Sequence, residues 1–259
     1  MALLRCDFFS EVLELSTSMT VILPQQTTNQ IGMTGQARAG AAPVLYLLHG
    51  LSDDDSIWLR RTSIERYVAA LGFAVVMPQV NRSFYADEAY GNRYWTFLSE
   101  ELGALTNDFF NVSQRREDTF VAGLSMGGYG AMKWALRQPE RFAAAASLSG
   151  ALDLAALQNQ ARQAERSDLI DRVFGSGPIA GSDNDLLALL DNADATALPK
   201  LYVCCGTEDG LVEGNRKFLQ TAANNDIPVT SNLDPGEHEW GYWDTKIQDV
   251  LAWITAARS

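Results

Sequence analysis

Short apolar runs alternate with helical patterns along most of the chain. Each of the longer runs lacks polar alternation and is followed within two residues by glycine or proline, which is typical of strands buried on both faces of a sheet. These predicted strands are Val44–Leu48, Phe73–Met77, Thr119–Ala122, Ala143–Leu148 and Leu201–Cys205. Two more strands, Val12–Leu15 and Met19–Leu23, are predicted ahead of them.

Helical patterns fill the intervals between these strands. Apolar residues recur at spacings of three and four from Tyr94 to Phe109 and again from Ile247 to Ile254, which predicts two amphipathic helices. Strands that alternate with helices form a mostly parallel sheet joined by right-handed crossovers. The pattern therefore predicts an α/β fold that occupies residues 1–259 as a single domain.

Two segments depart from this alternation. Residues 25–42 are rich in glycine, threonine, glutamine and alanine, which predicts an exposed loop. Residues 154–199 are longer than one crossover requires, so we expect them to form a small, cap-like helical insertion. The insertion would lie above the carboxyl edge of the sheet, where ligands bind in open α/β folds.

Composition narrows the class of protein without naming a substrate. Of the 259 residues, 47% are hydrophobic and 20% are charged, as in ordinary globular proteins. No apolar run approaches the roughly 18 residues that a membrane span needs, and residues 1–10 lack the features of a signal peptide, so a cytoplasmic location is expected. The net charge of −12 would repel polyanions, which argues against nucleic acid as a partner.

The residue types give little support to metal, cofactor or disulfide chemistry. Three cysteines and two histidines are too few for a disulfide framework or a typical zinc site. The adjacent Cys204 and Cys205 are predicted to be buried free thiols, and the run Asp53–Asp55 to be a solvated loop that caps a helix. Residues 175–180 match a dinucleotide-binding glycine pattern, but they follow a helical pattern and contain Pro178. No cofactor and no metal are therefore expected.

The most informative motif is Gly-Leu-Ser-Met-Gly-Gly at residues 123–128. A strand pattern precedes it and a helical pattern, Tyr129–Arg137, follows it, which together give the strand, sharp turn and helix of a nucleophile elbow. Such a turn lifts the serine hydroxyl to the helix N-terminus, where the helix dipole favours developing negative charge. The motif predicts Ser125 as a catalytic nucleophile in an α/β-hydrolase fold, with a mostly parallel central sheet flanked by helices.

The general base is assigned by elimination. A serine nucleophile needs a base within hydrogen-bond reach, and in this fold the histidine follows both the serine and the acid along the chain. His49 precedes Ser125, so His238 is the predicted base. His49 is instead expected to hold its own loop by hydrogen bonds.

The acid should follow the predicted strand that ends just before Gly206. Asp209 is the predicted residue, and its carboxylate would orient the imidazole of His238 and stabilise the charged form. The neighbouring Glu208 is an alternative, and Asp153, after the preceding strand, is a weaker one.

Two backbone amides are predicted to form an oxyanion hole for the tetrahedral intermediate. One belongs to Met126, the residue after the nucleophile, and the other to Leu51, in the loop that follows His49. Gly50 would allow this loop to turn close to Ser125.

Four motifs taken together resemble one known family. Over nearly its whole length the chain is similar to the EstA-type tributyrin esterases of bacteria, which are related to esterase D. The motifs that carry the resemblance are residues 49–52, 123–130, 205–209 and 236–240.

The resemblance implies an α/β-hydrolase fold and the hydrolysis of short-chain acyl esters without a cofactor. Some members of the family act on acetylated sugars or cinnamoyl esters and some assemble as oligomers, so a small-molecule ester is the expected partner and a homo-oligomer stays open. Carried over position by position, the family's triad falls on Ser125, Asp209 and His238, and its oxyanion donors fall on Leu51 and Met126.

Related activities stay open on the same scaffold. S-formylglutathione hydrolases usually have one histidine before the serine and another further on, where this chain has Leu124 and Tyr129, and the difference weakens a thioesterase alternative. An acyltransferase, such as the mycolyltransferases that the superfamily also resembles, would differ in using an alcohol instead of water. A non-catalytic binding module is a third alternative, and the full set of predicted catalytic residues argues against it.

Overall fold

The computed structural model describes residues 1–258, and an eight-stranded sheet forms their centre. The strands are β1 (Ala2–Ser10), β2 (Leu15–Leu23), β3 (Val44–Leu48), β4 (Ala74–Pro78), β5 (Thr119–Leu124), β6 (Ala144–Leu148), β7 (Lys200–Gly206) and β8 (Val229–Asp234). Their spatial order is β1-β2-β4-β3-β5-β6-β7-β8. The pairings β1–β2 and β2–β4 are antiparallel and the others are parallel, so the predicted mostly parallel sheet is confirmed.

Helices cover both faces of the sheet. They are α1 (Ile57–Arg61), α2 (Ile64–Ala69), α3 (Tyr94–Thr96), α4 (Leu102–Phe109), α5 (Met126–Arg137), α6 (Leu154–Gln163), α7 (Asp168–Phe174), α8 (Leu186–Asp191), α9 (Val212–Asn224) and α10 (Trp240–Arg258). A π-helical segment at Phe97–Glu101 joins α3 to α4, so the helix predicted from Tyr94 to Phe109 is one continuous helical run.

Two hydrophobic clusters lie on opposite faces of the sheet. Alternate residues of β3 enter different clusters: Val44, Tyr46 and Leu48 face α4, α5, α8 and α9, whereas Leu45 and Leu47 face α1, α2 and α10. Successive side chains of a strand point to opposite faces, which is why a central strand with helices on both sides is apolar at every position. The helix-flanked sheet is the α/β-hydrolase architecture.

The N-terminal strands differ from the prediction. Of the predicted strand Val12–Leu15, only Leu15 lies in a strand, as the first residue of β2. Residues 12–14 form the turn between β1 and β2, where Glu14 has a φ of 55° and Leu13 is buried. β1 itself escaped prediction because it is the edge strand, and its partly exposed face carries polar residues such as Arg5 and Asp7. Pairing with β2 along all nine of its residues holds it in place.

The loop of residues 25–42 is anchored to the body of the protein. Arg38 donates hydrogen bonds to both carboxylate oxygens of Asp118, at 3.0 and 2.7 Å. Arg115 and Ser113 also donate to Asp118, whose side chain is only 2% exposed. A surface loop is therefore tied to a buried carboxylate just ahead of β5.

Residues 154–199 contain α6, α7 and α8. α8 packs against α5 and α9, within the helical layer on that face of the sheet. A cap-like role for the rest of this segment stays a prediction. Within residues 1–258, none of the helices combines the length and the apolarity that crossing a membrane demands.

Candidate active site

Ser125 occupies the turn between β5 and α5. Its φ of 54° and ψ of −117° lie outside the backbone regions that side-chain-bearing residues favour. The Ser125 amide donates to the Leu148 carbonyl, and the Ser125 carbonyl accepts from the amides of Tyr129 and Ala151. Because β6 and α5 hold this backbone from both sides, the strained turn persists and the serine stands at the N-terminus of α5.

Two glycines of the elbow permit a contact that any side chain would block. A Cβ atom placed on Gly123 would lie 2.4 Å from the carbonyl of Gly127. A Cβ atom placed on Gly127 would lie 2.4 Å from the Leu48 carbonyl oxygen at the end of β3. The elbow and the neighbouring loop can therefore approach each other only because both positions lack side chains.

The structure brings the three predicted triad residues together in one series of hydrogen bonds. Nε2 of His238 lies 3.1 Å from Oγ of Ser125, and Nδ1 of His238 lies 2.7 Å from Oδ2 of Asp209. Both distances are in the hydrogen-bond range. The Asp209 side chain is fully buried, whereas the His238 side chain is 37% exposed. The imidazole thus links a buried carboxylate to a hydroxyl that solvent reaches.

The carboxylate of Asp209 is stabilised in its ionised form. Burial alone would raise the pKa of Asp209, but hydrogen bonds from His238 and from the Leu211 amide, the latter at 2.8 Å, outweigh burial and lower it. Cys205 lies nearby, and burial together with the Asp209 charge raises the pKa of its thiol to about 12. The thiol therefore stays protonated near neutral pH, and Cys204 and Cys205 are both buried and free, as predicted.

The two alternative acids contact other groups. Glu208 accepts hydrogen bonds from the Gly236 amide at 2.7 Å and from the Thr207 hydroxyl at 2.8 Å, so it holds the loop that carries His238 but not the imidazole. Asp153 caps α6 and pairs with Lys217 at 2.8 Å. Asp209 is the carboxylate placed against His238.

The two predicted oxyanion donors both lie near Ser125. Met126 is the first residue of α5, and Leu51 shares the wall of a cavity with Ser125. Within residues 1–258, neither the Leu51 amide nor the Met126 amide donates to an acceptor of the protein. The role of these two amides as an oxyanion hole stays a prediction.

The carbonyls that precede Leu51 are each held by a side chain. The indole of Trp58 donates to the Leu48 carbonyl at 3.0 Å, and the Tyr85 hydroxyl donates to the His49 carbonyl at 2.9 Å. Trp58 and Tyr85 were not identified from the sequence, because no motif marks residues that act through another segment's backbone.

His49 holds its loop by two hydrogen bonds, as the sequence predicts. The Val80 amide lies 3.2 Å from Nε2 and can only donate, so Nε2 accepts and Nδ1 carries the proton that reaches the Gly50 carbonyl at 2.7 Å. Burial lowers the pKa of His49, in keeping with this neutral form.

The prediction that Asp53–Asp55 is a solvated, helix-capping loop is wrong for Asp55. Its carboxylate is buried and accepts hydrogen bonds from Ser18 at 3.2 Å and Thr20 at 2.8 Å, which ties the loop to β2. Sequence patterns did not reveal these partners because they lie 35 to 37 residues away. Within the described chain, no group of three or more histidine, cysteine, aspartate or glutamate side chains is arranged to hold a metal ion.

An open cavity of about 490 Å³ adjoins the serine and the histidine. Its wall is formed by residues 50–53 and 124–125, together with His238, Glu239, Trp240 and Trp243. The rings of His238 and Trp243 meet edge to face, with their centroids 4.8 Å apart. Trp243 supports the imidazole in this way, and sequence reasoning had no signal for it.

Comparison with known proteins places this geometry in a family. Residues 10–254 match the model of the Esterase family, described as "Putative esterase". The chain is 32% identical to an acetyl esterase of Caldicellulosiruptor saccharolyticus, over 98% of each chain.

Two solved structures from Staphylococcus aureus are also similar. The fluorophosphonate-binding serine hydrolase F has a TM-score of 0.86 and 33% identity, and an S-formylglutathione hydrolase has a TM-score of 0.82 and 33% identity. Each comparison covers 98% of both chains. The predicted esterase relationship and α/β-hydrolase fold are confirmed, whereas the EstA-type designation stays a prediction. The chain belongs to this esterase family and is a carboxylesterase.

Proposed function

We propose that this carboxylesterase hydrolyses esters of short-chain carboxylic acids, with Ser125 as nucleophile, His238 as general base and Asp209 as the orienting acid. The observation that carries the proposal is the uninterrupted hydrogen-bonded path from the Asp209 carboxylate through the imidazole to the Ser125 hydroxyl. A serine with a base at this distance, and a third group that orients the base, is the arrangement that nucleophilic acyl transfer needs.

Acylation begins when Oγ of Ser125 attacks the ester carbonyl carbon and its proton passes to Nε2 of His238. Asp209 accepts the Nδ1 hydrogen bond, which keeps the correct tautomer and stabilises the imidazolium. The carbonyl oxygen becomes an oxyanion that the amides of Leu51 and Met126 stabilise. Collapse of the intermediate breaks the bond to the alcohol oxygen, and this oxygen takes the proton from Nε2.

Deacylation repeats these steps with water in place of the serine hydroxyl. His238 takes a proton from the water, the resulting hydroxide attacks the acyl carbon, and the second intermediate expels Ser125. Ser125 recovers its proton from Nε2 and the carboxylic acid leaves. The 37% exposure of His238 supports this half-reaction, since water can reach the imidazole without a conformational change.

The size and lining of the cavity beside Ser125 and two similarities to other esterases support a short acyl group. The cavity of about 490 Å³ lies in the range of small-molecule sites, and it must accept part of the alcohol as well as the acyl chain. The indoles of Trp240 and Trp243 form part of its wall. The resemblance to tributyrin esterases and the similarity to a protein named acetyl esterase point in the same direction.

A thioester such as S-formylglutathione is a second candidate substrate. The observation in its favour is the 33% identity to an S-formylglutathione hydrolase over 98% of both chains. A leaving thiol needs less proton transfer than a leaving alcohol, so the same triad serves both substrates. Comparing kcat/KM for S-formylglutathione with kcat/KM for p-nitrophenyl acetate, butyrate and octanoate separates the two candidates and measures the preferred acyl length.

The decisive test of the nucleophile is Ser125→Ala, with Ser176→Ala as the matched control at an exposed position. Loss of the hydroxyl should lower kcat/KM by about 10⁴-fold or more without unfolding the protein. A fluorophosphonate probe should label the wild type and the control once, at Ser125, and should not label the Ser125→Ala protein. Near-normal turnover in a folded Ser125→Ala protein would refute the proposal.

A further inference from the structure

A lysine is buried on the nucleophile helix, outside the catalytic residues already described. Lys133 follows Ser125 by about two turns of α5 and is 1% exposed. Its ammonium group meets neutral acceptors: Nζ donates to the Tyr85 carbonyl at 3.0 Å and to Oδ1 of Asn184 at 2.7 Å. The ring of Trp95 lies 4.8 Å from Nζ. Burial lowers the pKa of Lys133 to about 7, so the fold bears a cost for an amine at this position.

The turn that Lys133 holds has a strained backbone. Phe84 and Tyr85 have φ values of 50° and 51°, a left-handed conformation that aromatic residues rarely adopt. The Phe84 amide donates to the sulfur of Met126 at 3.3 Å. Helix α5 therefore contacts the turn through two of its own residues, Met126 at its start and Lys133 further along. Strained backbone persists only where its surroundings over-determine it, and here the helix that begins after the nucleophile supplies the contacts.

The side chain of Tyr85 carries this constraint to the oxyanion loop. Its ring lies against Gly130, where a Cβ atom would come within 2.5 Å of Cδ2. Its hydroxyl donates to the His49 carbonyl at 2.9 Å, and burial raises the pKa of Tyr85 well above the usual value, which keeps the donor protonated. The Leu51 amide lies only two residues beyond His49 in the chain.

From these contacts we infer that Lys133 is a positioning residue that acts through Tyr85 to set the orientation of the Leu51 amide in the oxyanion hole. The inference rests on the proposed function, because it assigns a role to that amide. An oxyanion donor stabilises the transition state only when it points at the developing charge, so a small rotation of the loop lowers kcat more than it changes KM.

Tyr85→Phe is the most direct test, because it removes one hydroxyl and keeps the buried ring. The matched control is Tyr46→Phe on β3, which also removes a buried hydroxyl, one that lies 3.0 Å from Oγ1 of Thr106. Turnover of p-nitrophenyl acetate and the inhibition constant of an aliphatic trifluoromethyl ketone are measured for both. The ketone adds to the serine and places an anionic oxygen in the oxyanion hole, so its affinity reports the donor geometry.

Tyr85→Phe should lower kcat by about tenfold, with KM changed by less than about twofold and with weaker binding of the ketone. Tyr46→Phe should match the wild type in kcat, KM and ketone affinity. A folded Tyr85→Phe protein with wild-type kcat and ketone affinity would overturn the inference. The proposed function survives such a result for Tyr85→Phe if Ser125→Ala abolishes turnover. Retained activity in Ser125→Ala would refute both the proposed function and this inference.

Lys133→Met and the double variant Lys133→Met/Tyr85→Phe test whether the lysine acts through the tyrosine. If it does, Lys133→Met alone should lower kcat, and the double variant should lose no more activity than the worse single variant, because both changes break one series of contacts. Wild-type kcat in a folded Lys133→Met protein, or independent, multiplicative losses, would overturn the coupling. The comparison of Tyr85→Phe with Tyr46→Phe decides the role of the turn if Lys133→Met does not fold.

Discussion

Oγ of Ser125 and Nε2 of His238 lie 3.1 Å apart although 113 residues separate them along the chain. Ser125 follows β5 and His238 follows β8, and Asp209, 29 residues before the histidine, follows β7. These strands run parallel, so their carboxyl ends meet at one edge of the sheet. Residues from three distant loops therefore converge there, as ligand sites in open α/β folds do.

The first prediction separates Asp209 from its neighbour. Asp209→Asn should lower kcat by about 10⁴-fold, because an amide donating to Nδ1 would favour the wrong tautomer of His238. Glu208→Gln keeps an oxygen that can accept from the Gly236 amide and should cause a much smaller loss. Steady-state kinetics of the two variants measure the ranking. The reverse ranking would move the acid to Glu208.

The second prediction concerns the close contact at the elbow. Gly127→Ala should reduce the free energy of unfolding by roughly 1–3 kcal/mol or more, because its Cβ atom would lie 2.4 Å from the Leu48 carbonyl oxygen. Gly177→Ala is the control, since its Cβ atom would meet nothing within 4 Å and its φ is not positive. Urea denaturation followed by tryptophan fluorescence gives both values. Equal stability of the two variants would contradict the role of this contact.

The third prediction is a loss of stability in acid that depends on Asp118. Burial alone would raise the pKa of this carboxyl, but hydrogen bonds from Arg38, Arg115 and Ser113 outweigh burial and hold it well below its usual range. The unfolded chain then takes up a proton near pH ~4 before the folded protein does, so the stabilisation is complete above that pH and is lost as the pH falls further.

Asp118→Asn should therefore destabilise the protein by about 2 kcal/mol at pH 7, and the difference from the wild type should shrink below pH ~4. Asp7→Asn, which removes an exposed ion pair with Arg5, should change the stability little. Urea denaturation from pH 7 to pH 3 measures both differences. A gap between Asp118→Asn and the wild type that stays constant with pH would argue against this ionic anchor of the 25–42 loop.

The fourth prediction concerns metal ions. Every group in the proposed mechanism is a side chain or a backbone amide of this chain, so prolonged dialysis against EDTA should leave kcat and KM for p-nitrophenyl acetate unchanged. Dialysis without EDTA is the control. A loss of activity that one particular divalent ion restores would contradict a metal-free mechanism.

Several features could be predicted because they depend on contiguous residues. The apolar runs of β3 and β5 indicate strands that are buried on both faces. The Gly-Leu-Ser-Met-Gly-Gly motif predicts a turn whose geometry depends on residues close to Ser125 in the chain. His238 could be singled out because the chain has only two histidines. Edge strand β1 could not be predicted in this way. It has one neighbouring strand and a partly exposed face, so its sequence lacks a continuous apolar run.

Other features depend on partners that are distant in the chain and adjacent in space. The contact of Asp209 rather than Glu208 with His238, the burial of Asp55 against β2 and the contact of Tyr85 with the His49 carbonyl each depend on a hydrogen bond between separate segments. Local pattern specifies which face of an element is apolar, but a hydrogen bond requires two atoms to meet within about 3 Å. That condition is met only when the packing of all the elements has set the position of each, and so it is a property of the folded chain.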